Sequence, residues 1–333
     1  MSTKQRVLET LSIEKGNYIS GQEMADKLFV TRAAIWKAIK ALEKDGYDIE
    51  AVNNKGYRLR VAENPIDTDY MEKTLKAQGI NVKAYHYDTV TSTNDKAKEL
   101  ADTNDSNVLV VADLQTQGRG RRGRSFFSPK GTGLYMSYLL WYNEENNLAT
   151  ITAVCASAVA KAIDEVAFNG EDITTIKWVN DIYLGTKKIS GILTEGFAGV
   201  KGAGERYIII GIGVNLFAPT GGFPRDIKDK AGAISEHELS DMGNDVKTML
   251  ITSIIRNLHE YYYKDRDNKA LSIYRDKSML LGHFVKINSF GDNPLDDRYA
   301  QVTGITDEYH LKVRYDNGIE RELDSGEISV VKY

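Results

Sequence analysis

The sequence predicts an α/β (α+β) multidomain chain in three parts. A winged helix-turn-helix spans residues 1–62, a central mixed α/β domain 68–277, and a small C-terminal β domain 278–333. Three observations predict this. Helical periodicity gives way to an alternating hairpin within the first part. Strand-like runs containing glycine alternate with long helical runs through the middle. Five short alternating runs fill the end. With 333 residues, the chain is long enough for about two domains at roughly 150 residues each.

At the N-terminus, Gln5 to Leu11 places Val7, Leu8 and Leu11 at helical spacing. Ser20, with Glu23 three residues on, predicts a helix N-cap. The helix Gly21 to Leu28 turns Met24, Ala25 and Leu28 inward, and Phe29-Val30 makes a turn. Thr31 opens a third helix with Ile35, Ile39 and Leu42 on its core face, which Gly46 stops. Tyr47 to Val52 and Tyr57 to Val61 alternate around Asn53-Asn54-Lys55-Gly56, the turn of a hairpin. Asn64-Pro65 marks a linker.

In the middle, Asn107 to Val111 reads as a buried strand and Gly133 to Trp141 as an alternating one. Ile151 to Val166 reads as an alanine-rich helix, Tyr207 to Leu216 as a strand interrupted by glycine, and Val246 to Arg275 as one helix. At the end, the runs Phe284–Ile287, Tyr299–Ile305, His310–Tyr315, Ile319–Leu323 and Ile328–Val331 are separated by turns that include Asp316-Asn317-Gly318 and Ser325-Gly326. They predict a small β-barrel or sandwich.

Net charge is −4, which argues against a general nucleic-acid coat. The charge is unevenly spread, however. Residues 1–62 carry 11 Lys and Arg against 8 Asp and Glu, so the rest of the chain carries the acidic excess. A basic head on an acidic body points to a nucleic-acid arm on another machine. The one cysteine, Cys155, excludes an intrachain disulfide and fits a reducing compartment. The N-terminus lacks a signal-peptide layout and the apolar runs are strand-sized, which predicts a cytoplasmic protein with no membrane partner.

The strongest chemical signal is Gly118-Arg119-Gly120-Arg121-Arg122-Gly123-Arg124. Glycines let the backbone approach a ligand, and guanidinium forks match phosphate or carboxylate. The segment lies between two strand-like runs, so it reads as a loop in a fold facing an anionic small molecule. A second signal is Lys177-Trp178-Val179-Asn180-Asp181-Ile182-Tyr183, a turn, then Lys188-Ile189-Ser190-Gly191-Ile192-Leu193. Asp181 offers an oxygen ligand to Mg²⁺, and Lys188 offers an ammonium on a rigid strand. Thr91-Ser92-Thr93-Asn94 caps a helix and can bind a polar ligand head. Gly211-Ile212-Gly213-Val214-Asn215 puts glycines in a strand, where a ligand can come close or a bulge can form.

Taken in order, these motifs resemble the bifunctional biotin–protein ligase and biotin operon repressor family. The resemblance implies a central ligase domain and a C-terminal SH3-like β-barrel. It implies that biotin and ATP form biotinyl-5'-AMP, and that biotin then passes to a lysine of the biotin carboxyl carrier protein of acetyl-CoA carboxylase. It also implies that the adenylate-bound homodimer represses transcription at a two-fold operator DNA. Ser92, Thr93, Asn94, Gln115, Gly120, Gly191 and Gly211 match biotin-binding positions, together with Arg119, Arg121 and Lys188. Lys188, Arg119, Arg121 and Asp181 carry the chemistry, Asp181 toward Mg²⁺. Arg121, Arg122, Arg124, Phe126, Asn180 and Asn215 fall to the nucleotide. Two positions depart from the pattern: Val179 stands where proline is usual, and Phe126 where an adenine-stacking tryptophan is common.

The chemistry agrees with these roles. Joining a carboxylate to a triphosphate brings like charges together, which arginines, a lysine and Mg²⁺ offset. A closing loop protects a mixed anhydride from water.

On the third helix, Arg32, Trp36, Lys37 and Lys40 lie off the core face, where a recognition helix meets the major groove. Lys55 at the hairpin tip, with Arg58 and Arg60 behind it, is placed for flanking phosphates. Two other readings stay open on the residues alone. One is a lipoate–protein ligase; the other is a ligand-sensing transcription factor without ligase activity.

Overall fold

Ser20 and Thr31 open the second and third helices. In the computed structural model, Ser20 Oγ accepts from the Glu23 N–H at 3.0 Å and Thr31 Oγ1 from the Ala34 N–H at 3.2 Å. The structure describes residues 3–13, 17–44, 49–52, 55–59, 66–142, 148–198, 206–219, 221–235, 246–265, 267–288, 299–324 and 327–330. The expected Gly46 stop, Asn53-Asn54, Arg60, Asn64-Pro65 and Ser325-Gly326 lie outside the described residues.

The chain divides into two compact units, Met1–Ile66 with Leu239–Val246, and Asp67–Glu238 with Lys247–Tyr333. The first holds α1 (Thr3–Ile13), α2 (Gly21–Leu28), α3 (Arg32–Lys44), β1 (Ile49–Val52) and β2 (Gly56–Leu59). Its core is Val7, Leu11, Met24, Ile35, Ile39 and Leu42, the apolar positions that helical spacing selects. Phe29 ends α2 in the left-handed conformation, φ 53°. The hairpin pairs Ile49 with Leu59 and Val52 with Gly56. Gly56 has φ +106°, and a Cβ there would collide with the Ile19 backbone. That space lets Ile19 and Tyr57 exchange two 2.9 Å backbone hydrogen bonds, which fasten the wing to the helices.

The second unit begins with α4 (Thr68–Ala77), β3 (Val82–Val90), α5 (Thr93–Ala101), β4 (Asn107–Gln115), β5 (Gly133–Tyr142) and α6 (Leu148–Ala167). It continues with β6 (Thr174–Lys177), β7 (Asp181–Leu184), β8 (Lys187–Ala198), β9 (Arg206–Asn215), α7 (Val246–Tyr263) and α8 (Lys269–Asp276). Seven strands form one sheet in the order β3-β4-β5-β9-β8-β7-β6, parallel between β3 and β4 and antiparallel elsewhere. Ala97 and Ala101 of α5 pack on Val108, Val110, Leu139 and Ile209. By strand alternation, Leu109 and Val111 face the opposite side. Cys155 is fully buried within α6.

The expected single helix over Val246–Arg275 is two helices. Asp265 takes the Lys269 and Ala270 N–H groups at 2.6 and 2.8 Å, and Asn268 adopts φ 53°. The carboxylate satisfies donors that open a new helix, so apolar periodicity continues across a break.

The C-terminal strands are β10 (Phe284–Asn288), β11 (Tyr299–Ile305), β12 (Leu311–Tyr315), β13 (Glu320–Leu323) and β14 (Glu327–Val330). They form an antiparallel sheet in the order β13-β12-β11-β10-β14. Among the described residues this is an open sheet, not the closed barrel expected. Still, β13 and β14 are consecutive in the chain and occupy opposite edges. Four residue steps reach about 14 Å at most, whereas a flat sheet of this order would hold its edges about 19 Å apart. The sheet therefore curls.

Candidate active site

The first turn of α5 and the middle of β8 and β9 surround a cavity of about 450 Å³, its open mouth included. One end is polar. Ser92 caps α5, its Oγ accepting from the Asn94 N–H at 3.3 Å. Gln115 Oε1 accepts from the Thr93 N–H at 2.9 Å and from Thr93 Oγ1 at 3.1 Å, while its Nε2 donates to Ser128 Oγ at 2.9 Å. Buried Ser137 lies 2.7 Å from Thr93 Oγ1 and 2.5 Å from Asn94 Oδ1. Ser92, Thr93 and Asn94 are nearly inaccessible, yet all line the cavity. Met136, Ile192, Leu193 and Ile212 make its apolar wall. By register Leu193 shares the strand face of Gly191, Gly211 and Gly213, whereas Met136, Ile192 and Ile212 occupy the alternate positions.

Two glycines make the space. A Cβ on Gly211 would collide with Asn94 Oδ1, and one on Gly213 with the Phe126 ring. Phe126 lines the cavity, and its ring meets Tyr135 edge-on at 6.4 Å.

The Gly-Arg loop folds back on itself, with Gly120 N–H bonded to Arg124 O at 2.7 Å and Phe126 N–H to Gly118 O at 2.8 Å. Arg119, Gly120 and Arg121 line the cavity. Arg121 Nη1 donates to Asn180 Oδ1 at 3.0 Å, and Asn180 Nδ2 donates to Ile192 O at 2.9 Å. Arg119 Nη2 lies 2.6 Å from Asp95 Oδ1 and 3.3 Å from Glu195 Oε2. Lys188 and Gly191 also line the cavity, and Lys188 Nζ is 2.6 Å from Asp181 Oδ1. Burial, and then the Asp181 charge, push the Tyr183 hydroxyl up to about 12. The Trp178–Val179 peptide bond is cis.

Four expected residues stand back from the cavity wall. Arg122 holds φ 59° on the loop and Arg124 follows it. Asp181 sits behind Lys188, and Asn215 Nδ2 donates to Gly232 O at 2.9 Å. Among the described residues no three His, Cys, Asp or Glu side chains cluster to hold a metal. Apart from Lys188, Asp181 Oδ1 has no partner among them.

In the first unit, Arg32, Trp36, Lys37, Lys40 and Lys55 are exposed, Trp36 by 56%. Lys40 pairs with Glu43 at 2.7 Å and Arg58 with Glu50 at 2.5 Å. Among the described residues no helix is long and apolar enough to cross a membrane.

Residues 3–58 match the family described as HTH domain, and residues 85–215 match the biotin/lipoate A/B protein ligase family. The bifunctional ligase/repressor BirA of Bacillus subtilis (strain 168) is 39% identical over 238 residues, 71% of this chain and 72% of that protein. BirA of Escherichia coli (strain K12) is 32% identical over 206 residues, 61% of each. The structure of biotin protein ligase from Aquifex aeolicus in complex with biotin and ATP matches at 30% identity with a TM-score of 0.58. It covers 75% of this chain and 99% of that one.

Proposed function

Because this chain belongs to the family of bifunctional biotin ligase/repressors, we propose that it is a biotin–protein ligase that also represses transcription. It activates biotin with ATP to biotinyl-5'-AMP and transfers biotin to a lysine of a biotin carboxyl carrier protein. The observation that carries this reading is one cavity whose lining brings together the polar Thr93, Asn94 and Gln115, apolar residues, and the basic side chains of Arg119, Arg121 and Lys188. That is the shape and polarity of a small acid with a polar head.

In this reading the polar end holds the head of biotin and aims its carboxylate at the mouth. Lys188 and Arg121 hold the carboxylate and the α-phosphate as charge shifts between them. The Gly-Arg loop excludes water from the mixed anhydride. Phe126 offers its ring to adenine, and the family resemblance assigns Arg122, Arg124, Asn180 and Asn215 to the nucleotide. A lone carboxylate, Asp181, fits a Mg²⁺ ion that arrives on the phosphates and keeps most of its waters. Bound there, the ion would neutralise phosphate charge.

The three-part division 1–62, 68–277 and 278–333 stands as our domain reading. The curl of the last sheet supports an SH3-like fold for the third part. We also read the protein as cytoplasmic, and as a homodimer on operator DNA when the adenylate is bound. The exposed Arg32, Trp36, Lys37, Lys40 and Lys55 support that reading.

The test is incubation with biotin, MgATP and a biotin carrier domain, followed by intact mass. One biotinyl adduct on the carrier, with pyrophosphate and AMP released, is expected. Transfer of lipoate in place of biotin, or no transfer, would overturn the reading.

A further inference from the structure

We propose that Glu195, on β8, is a positioning residue that ties the polar end of the cavity to the Gly-Arg loop. Oε2 of Glu195 lies 2.7 Å from Asn94 Nδ2 and 3.3 Å from Arg119 Nη2. One oxygen therefore serves a residue that lines the ligand end and a residue of the loop that closes the mouth. The same Arg119 nitrogen reaches Asp95 Oδ1 at 2.6 Å, so α5 and β8 grip the loop together.

The chemistry of each partner defines the role. A carboxylate only accepts, so Glu195 compels Asn94 to offer its Nδ2 there. Asn94 Oδ1 then turns to Ser137 and to the space left by Gly211. Without the carboxylate the amide can take either orientation. Arg119, for its part, brings one positive charge to two carboxylates. Its charge is balanced within the protein, which makes it a latch on the loop. The two duties of Glu195 need different properties: Asn94 needs an acceptor, whereas Arg119 needs a charge.

That difference makes the proposal testable, and it rests on the biotin-ligase reading above. In Glu195→Gln the acceptor stays and the charge goes. In Glu195→Ala both go. Asp95→Asn weakens the Arg119 grip and leaves Asn94 alone. Two quantities are measured for each, with thermal melting alongside: biotin affinity by calorimetry without nucleotide, and the dissociation rate of preformed biotinyl-adenylate. A hydrogen bond to a charged group is worth about tenfold or more when it is removed. Glu195→Ala should weaken biotin by about that factor and speed adenylate release by about as much. Glu195→Gln and Asp95→Asn should hold biotin affinity within about threefold and still release adenylate about tenfold faster. A purely structural Glu195 would move both quantities together in all three variants, or neither, and either result overturns the proposal. Wild-type protein that binds no biotin would overturn the ligase reading itself, a separate and prior failure.

Discussion

The indole Nε1 of Trp178 donates to the carbonyl oxygen of Tyr309 across 2.9 Å, in a buried contact. It joins the turn between β11 and β12 to the segment that leads into β7. Tyr274 reinforces the joint: its hydroxyl donates to Val179 O at 3.1 Å and its ring meets Tyr309 edge-on at 5.2 Å. Arg275 adds two hydrogen bonds to Ile305 O. The C-terminal sheet thus braces the backbone that presents Asn180 and Asp181.

Trp178→Phe keeps a ring and deletes the donor. The Tyr309 carbonyl then loses that partner in a buried site, which costs about 1–3 kcal/mol. A lowered urea midpoint at unchanged slope is expected. An unchanged midpoint would mean that the brace contributes nothing to stability.

Lys188→Gln keeps a polar side chain, one methylene shorter, and removes the charge. A hydrogen bond to a charged group contributes about 1.5–3 kcal/mol, which is roughly 10- to 150-fold in rate. Single-turnover adenylate formation should slow by that order, and Lys188→Arg should recover part of it. A Gln variant that reacts at the wild-type rate would remove Lys188 from the mechanism.

Gly211→Ala puts a methyl where Asn94 Oδ1 sits. Asn94 is held by Ser137 and Glu195, so it has little room to yield. Biotin affinity should fall by at least about tenfold, with a stability loss of roughly 1–3 kcal/mol from overpacking. Calorimetry that returns the wild-type affinity would place the ligand elsewhere.

Lys37→Ala should weaken binding to duplexes selected from a random pool by the adenylate-loaded protein. It should flatten the salt dependence by about 0.9 in log–log slope for each phosphate that is no longer neutralised. Lys40→Ala should do less, because Glu43 already holds that ammonium. Filter binding across a salt series reads both. Slopes equal to wild type would put these lysines off the phosphates.

Burial pushes the Asp113 carboxyl up, but the hydrogen bond and charge of His86, with Lys247 and Lys130, outweigh it and hold it below its ordinary value. A folded value below the unfolded one stabilises the protein above the unfolded pKa, near pH 4. That contribution is lost as pH falls through the folded value. Asp113→Asn should therefore be less stable than wild type at pH 6, and the gap should narrow below about pH 4. A gap that ignores pH in urea titrations would contradict the assignment.

The winged helix was legible because its signals are local: apolar spacing, Ser20 and Thr31 as caps, and turn residues at the hairpin. The cavity was legible where residue type and ligand chemistry coincide, at Ser92, Thr93, Asn94, Gln115, Arg119, Arg121 and Lys188. Glu195 was not, because a lone acid in a strand reads as a solvent-facing charge until the fold brings Asn94 and Arg119 to it. The break after Tyr263 was hidden for the converse reason. Leu271 and Tyr274 are buried at helical spacing beyond a cap that only the Asp265 hydrogen bonds reveal. Closure of the last sheet depends on edge-to-edge pairing, which alternation along each strand does not encode.

Cys155 is the only sulfhydryl in the chain; it is wholly buried, and burial pushes its pKa far up. Thiolate is the species that maleimides and iodoacetamides attack, so the natural sulfur is silent to them. A cysteine placed at exposed Lys37 or on the Gly-Arg loop would accept a spin label or dye selectively, without altering any native residue elsewhere. Loop movement on ligand binding is thus open to spectroscopy in the otherwise natural chain.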